Sequence, residues 1–241
     1  MQLQILYEDA ELIAINKPCN MLSVPGRDST MQSCTALLST AYQVLVVHRL
    51  DCATSGAMLY AKSKQSQARL QQAFRRRQVS KLYHAVTVGR PDQALIDLPL
   101  LTDWPNRPKQ KIDWLAGKPA QTLIKPLREL TKIDHNELWL VELRPITGRT
   151  HQLRLHLAAI GFPIVGDELY APERWRGSTP DSHLLLHARE IYFEHPTTRK
   201  SIGIVAPACL AAALVSRWRE IGERRKIEAK MFEKAQFTWG K

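Results

Sequence analysis

The chain has few cysteines, and none is placed for metal or disulfide chemistry. Cys19, Cys34, Cys52 and Cys209 form no C-x-x-C pair, so neither a zinc site nor a disulfide framework is suggested, and a reducing compartment fits this usage. No apolar run approaches the roughly 20 residues that a membrane-spanning helix needs. The start, Met1-Gln2-Leu3-Gln4, lacks the basic-then-apolar order of a secretory signal. Internal repeats and low-complexity tracts are absent. Negative charge is scarce: 23 Asp plus Glu stand against 34 Lys plus Arg, a net charge of +11 with a pI near 9.7. A surplus of that size favours an anionic partner, and a polyphosphate backbone or an anionic membrane surface are the physical candidates. These observations together lead us to expect a soluble, cytoplasmic protein.

With 241 residues, 44% of them hydrophobic, the chain has enough material for one core, or for one domain with an appendage. Leu3–Tyr7 and Leu12–Asn16 read as a hairpin, ended by Asn16-Lys17-Pro18. Ser33 and Ser63 are placed as N-caps of helices over Ser33–Tyr42 and from Ser63 through Phe74. The second helix runs into Arg75-Arg76-Arg77, where two readings stand: complementing the helix dipole or contacting a phosphate backbone. Lys81–Gly89 alternates like a strand. The segment Thr102–Lys111 is too polar and Pro-rich for regular structure. Further strands are expected over Ile112–Trp114, Ala120–Ile124, Leu138–Leu143, Leu184–Ala188, Ile191–Phe193 and Ser201–Val205. A helix with apolar residues at 153, 157 and 160 follows a Thr-Gly turn and stops at Gly161 and Pro163. From Cys209 the composition changes to a charged helical pattern. Short strands with interspersed helices and no βαβ rhythm predict an α+β fold with a mixed, largely antiparallel sheet. The expected division is a domain over 1–208 and a C-terminal helical extension over 209–241.

Four motifs stand out. His48-Arg49-Leu50-Asp51, followed by Thr54-Ser55-Gly56, places one carboxylate in a turn beside a cation. Gly148-Arg149-Thr150-His151-Gln152-Leu153-Arg154 opens the third helix, Tyr83-His84-Ala85 lies on a strand, and Asn16-Lys17-Pro18 leads to Leu22. An isolated Asp in a turn is usually a cap or a turn residue. Here the four together closely resemble the signature segments of the RluA-type pseudouridine synthases, over about residues 3–207. One departure is Asn20, where the family has Gly; Asn tolerates left-handed backbone, so the turn should survive. Another is Val205, where a basic residue is expected.

The resemblance implies an enzyme that isomerises uridine to pseudouridine in RNA. It implies Asp51 as catalytic carboxylate, Arg154 as its ion-pair partner, Tyr83 against the target base and as a candidate base for the C5 proton, and Arg49 in the gap left by the extruded nucleotide. Breaking C1′–N1 and forming C1′–C5 is redox-neutral, so no cofactor and no metal are expected. Whether the carboxylate attacks C1′ or abstracts a sugar proton stays open. The expected RNA-contacting cations are Arg49, Arg75, Arg76, Arg77, Arg107, Lys109, Lys111 and Arg149. His48, His151, His156 and His187 match no ligand spacing and are expected to make core or turn hydrogen bonds. The Asp103–Lys111 segment and the lack of an S4-type domain before Leu3 resemble a dual-specificity member of the family. The implied partners are therefore stem-loops of large-subunit rRNA and of tRNA, bound by a monomer away from any membrane. The alternatives are a catalytically silent RNA-binding protein on the same fold, or a retaining glycosidase. The glycosidase needs a second carboxylate about 5 Å from Asp51, and no motif supplies one.

Overall fold

Leu12-Ile13-Ala14-Ile15 and Ala57-Met58-Leu59-Tyr60-Ala61 are unbroken apolar runs, and strands of that kind need cover on both faces. The protein, seen in a computed structural model that describes residues 2–26, 30–133, 135–176 and 183–207, supplies that cover. In chain order its elements are β1 (Gln4–Glu8), β2 (Leu12–Lys17), α1 (Cys34–Leu38), β3 (Leu45–Val46), β4 (Ser55–Ala61), α2 (Lys64–Arg75) and β5 (Ser80–Val88). There follow β6 (Leu95–Asp97), β7 (Leu100–Thr102), β8 (Gln110–Ile112), β9 (Gln121–Ile133), β10 (Asn136–Pro145), α3 (Gln152–Ala159), β11 (Leu186–Glu194) and β12 (Ser201–Val205). Ile13, Ile15, Met58 and Tyr60 pack under Cys34 and Leu38 of α1, and Leu12, Ala14 and Leu59 pack under Leu70 of α2. Both helices start where expected: Ser33 Oγ accepts from Ala36 N at 3.2 Å and Ser63 Oγ from Ser66 N at 3.1 Å.

Ten strands form one sheet, whose main path is β1-β2-β4-β11-β5-β10-β9-β6, with β12 beside β11 and β3 beside β4. All named strand pairs are antiparallel except β4 with β11, where Ser55 and Gly56 face His187 and Ala188. That junction joins two halves of the molecule. Gly56 has φ +113°, and any Cβ there would drive into the Ala188 backbone, so only glycine lets the strands meet. Beyond the junction, Leu153 and Leu157 of α3 bury against Ile124, Val141, Leu143 and Ile164. Gly161, at φ +87°, ends α3 as its apolar pattern does, with Phe162 N returning to Leu157 O at 2.9 Å.

Several expectations change in detail. α1 is shorter than Ser33–Tyr42, the chain leaving it through turns such as Tyr42 N to Leu38 O. Leu184–Ala188 and Ile191–Phe193 belong largely to one strand, β11, with a register shift between Ala188 and Glu190. The polar segment after Leu100 is not wholly irregular: β7 and β8 pair as a ribbon around a turn closed by Asp103 N to Lys109 O. Asn20 takes the left-handed backbone expected of it, at φ +55°. The helix expected from Cys209 and the boundary after residue 208 lie outside the described residues. Among the described residues no helix is long and apolar enough to cross a membrane.

Candidate active site

Residues 47–54 lead into β4 and carry Asp51 into the lining of a cleft of about 570 Å³. Both flanks of that Asp are held through backbone groups. Ser23 Oγ donates to Leu50 O at 2.7 Å and accepts from Leu50 N at 3.1 Å. On the other side the fully buried Lys17 donates to Cys52 O at 2.8 Å, and also to Met21 O at 2.6 Å and Pro18 O at 2.8 Å. A buried ammonium that finds three carbonyls satisfies its donors and locks the loops that own them together. His48 accepts from Leu59 N at 3.0 Å and stacks on Phe74, ring centroids 4.6 Å apart. Burial, with the nearby Lys81 charge, pushes the His48 pKa down to about 3, so it is a neutral acceptor.

α3 brings Arg154 to the cleft from the other half of the sheet. Its Nη1 lies 4.0 Å from Asp51 Oδ2, the pairing expected from the motifs. Its closer partner is a residue no motif marked: Asp167, which accepts from Nε at 2.8 Å and from Nη2 at 2.6 Å. Asp167 also accepts from Leu169 N and Tyr170 N, at 2.9 and 3.2 Å. Burial works against the Arg154 charge, but the Asp167 carboxylate and then Asp51 outweigh it and raise its pKa above the ordinary arginine value. Nothing around Asp167 in the sequence announces this; the signal lies in the pairing a buried arginine requires.

Tyr83 lines the same cleft from β5. Burial, then the Asp51 charge, raises its pKa well above that of a free tyrosine, so it is protonated at neutral pH. The turn before α3 is built on Gln152, whose Oε1 accepts from Thr147 Oγ1 at 2.7 Å and from Arg149 N at 3.0 Å. His151 Nδ1 is 2.9 Å from the Tyr170 hydroxyl, which accepts from Gln110 N at 2.7 Å. Burial lowers the His151 pKa and pushes that of Tyr170 up to about 12.

Asp51, Tyr83 and Arg154 therefore converge, and Arg49, Arg75, Arg77 and Arg149 line the cleft with them. Arg76 caps α2 and is not part of the lining. Arg107, Lys109 and Lys111 belong to the β7–β8 ribbon, also outside the lining. There Arg107 lies 3.2 Å over the exposed Trp104 ring, and Lys111 pairs with Asp113 at 3.2 Å. The four histidines make the hydrogen bonds expected of them: His156 meets Thr122 Oγ1 at 3.0 Å and His187 meets Ser55 Oγ at 2.9 Å. Among the described residues no cluster of His, Cys, Asp or Glu could hold a metal. Among the described residues Asp51 is the one carboxylate lining the cleft, and Asp167 is bound to Arg154, so none of them supplies the second carboxylate of a retaining glycosidase.

The family model described as RNA pseudouridylate synthase matches residues 11–159, a span that holds all three converging residues. The chain belongs to that family. It is 44% identical over 213 residues, 86% of this chain and 93% of that protein, to the dual-specificity RNA pseudouridine synthase RluA of Escherichia coli K12. It is 43% identical over 207 residues to the Vibrio parahaemolyticus protein of that name, covering 84% of this chain and 82% of that one. Among solved structures it resembles human RNA pseudouridylate synthase domain containing 1, with a TM-score of 0.72 and 26% identity over 86% of this chain and 84% of that one. Human RNA pseudouridylate synthase domain containing 4 gives a TM-score of 0.70 and 26% identity over 90% and 93% of the two chains. As a family member this protein is an RNA pseudouridine synthase, an isomerase of uridine in RNA, with the family's mixed sheet and flanking helices.

Proposed function

We propose that the protein converts a uridine to pseudouridine in short stem-loops of two RNAs, large-subunit rRNA and the tRNA anticodon arm. The observation that carries this is Asp51, among the described residues the lone carboxylate in a cleft that six cations also line, standing 4.0 Å from Arg154. In this reading Asp51 acts at the ribose while C1′–N1 breaks and C1′–C5 forms. N1 ends protonated, and C5 gives up its hydrogen to a base. Arg154, held by Asp167, sets a positive charge 4.0 Å from Asp51. Tyr83 packs against the uracil, and its raised pKa keeps the phenol protonated there at neutral pH. Arg49 takes the space of the extruded nucleotide, since a base inside a stem is beyond reach of the carboxylate without extrusion.

Two features support the choice of RNA. Unstacked loop bases are what proteins read in RNA, because the A-form major groove is closed to side chains. The Asp103–Lys111 ribbon, with Arg107 laid on Trp104, offers cation and aromatic surface next to the cleft through Gln110 and Tyr170. The relatives named dual-specificity synthases support both substrate classes. We place the protein in the cytoplasm as a monomer, with catalysis confined to residues 1–208. The test is tritium release from 5-labelled uridine in two transcripts, an anticodon stem-loop and an rRNA hairpin. Release from both is expected. Release from one overturns dual specificity, and tight binding with release from neither favours a silent RNA-binding protein.

A further inference from the structure

Among the described residues six cations line the cleft, and five are accounted for. Arg49, Arg75, Arg77 and Arg149 are exposed and solvated, while Arg154 is buried on Asp167. The sixth, Lys81, is partly buried, and its ammonium has neither a carboxylate nor a hydrogen-bond acceptor among the described residues. Its Nζ lies over the Thr147-Gly148-Arg149 turn, 3.4 Å from where a Gly148 side chain would begin. Burial lowers its pKa with no opposing carboxylate, and its charge is felt at His48. A cation held from water without a partner is a standing cost to the fold. A cleft retains such a group when the partner arrives with the substrate.

We infer that Lys81 binds a phosphodiester flanking the reacting uridine, an assignment that rests on the proposed RNA substrate. Lys81 and Tyr83 are two apart on β5, so they project to the same face, about 6.6 Å apart along the strand. A base seated against Tyr83 has its own backbone within reach of Lys81. A phosphodiester is ionised at every working pH and accepts from a compact ammonium acting as a point charge. A uracil carbonyl offers only a dipole, which compensates a desolvated charge less well. Asp51 is not that partner: its ion pair among the described residues is with Arg154, and Lys81 lies beyond ion-pair distance of it.

The experiment compares the full chain with Lys81→Met and Lys81→Arg on one stem-loop transcript. Binding is measured across a range of salt concentrations. Lys81→Met should weaken binding about tenfold and flatten the log–log salt slope by about one unit, because one counterion-releasing contact is gone. Its Tm should equal or exceed that of the wild type, since an unpaired ammonium has been replaced by an apolar chain of similar length. Lys81→Arg should keep the salt slope. A transcript carrying a neutral methylphosphonate at one flanking phosphate should cost the wild type the same affinity and cost Lys81→Met nothing further. An unchanged salt slope, or additive losses at both flanking positions, overturns the contact. Mass spectrometry of the same reactions reads uridine conversion separately. Wild type that binds yet converts nothing removes the proposed function while binding still decides the Lys81 contact, and wild type that binds no RNA overturns both.

Discussion

Arg154 is gripped in two-point fashion by Asp167, at 2.8 and 2.6 Å, and only leans on Asp51 at 4.0 Å. For the proposed role of Asp51 the difference matters. A carboxylate in a two-point bond with a guanidinium has both oxygens engaged, whereas one 4.0 Å away leaves its oxygens free to react. Asp167 absorbs the directional part of the arginine's bonding and leaves its field for Asp51.

Asp167→Ala is expected to cost about 3–5 kcal/mol of stability, because it strands a buried guanidinium rather than a surface one. In protein that still folds, turnover should fall at least tenfold, since Arg154 is free to swing onto Asp51. Denaturant melts and single-turnover rates check both. A Tm within a degree of wild type with normal turnover would show that Asp167 is not the anchor.

Asp51→Asn should remove turnover by more than about a thousandfold, as loss of a carboxylate at the reacting centre costs several kcal/mol. RNA affinity and Tm should change little, because the side chain is partly exposed and its flanks are held through Leu50 and Cys52 backbone groups. Gel-shift binding and tritium release on the same preparation separate the two effects.

Gln110 N already donates to the Tyr170 oxygen, which leaves the phenolic proton for His151 Nδ1. His151 should therefore be the Nε2–H tautomer, seen in the nitrogen chemical shifts of labelled protein. Tyr170→Phe should release the ring to a mixture of tautomers. Shifts unchanged in that variant would show that another group sets the tautomer.

His48 and His187 are held neutral, chiefly by burial, with pKa values pushed from 6.5 down to about 3 and about 4. The unfolded chain binds protons there first. Their contribution is thus complete above about pH 6.5 and is lost as pH falls toward 3. Melting temperature should fall steadily from pH 7 to pH 4, with a shallower slope in His48→Gln. A flat profile over that window would remove the burial assignment.

What the sequence determined by itself was whatever a local pattern or a motif can carry. Unbroken apolar runs at 12–15 and 57–61 demanded cover on both faces, and Ser33 and Ser63 started the helices that provide it. Motif resemblance put Asp51, Tyr83 and Arg154 together although 103 residues separate the first and last. What only the tertiary structure decided was the choice among long-range partners. Lys17 belongs to a motif, but its partners appear only when three carbonyls surround it, and Asp167 is one acid among 23 until α3 turns Arg154 toward it. Lys81 reads as a strand residue until the Gly148 turn covers it. The polar ribbon β7–β8 gave no apolar alternation to read, because its pairing is held by turn bonds and by Tyr170 rather than by burial of a face. The physical reason is common to all of these. Burial and periodicity are properties of a residue and its chain neighbours, whereas the partner that satisfies a buried charge is selected by the fold that removes the water.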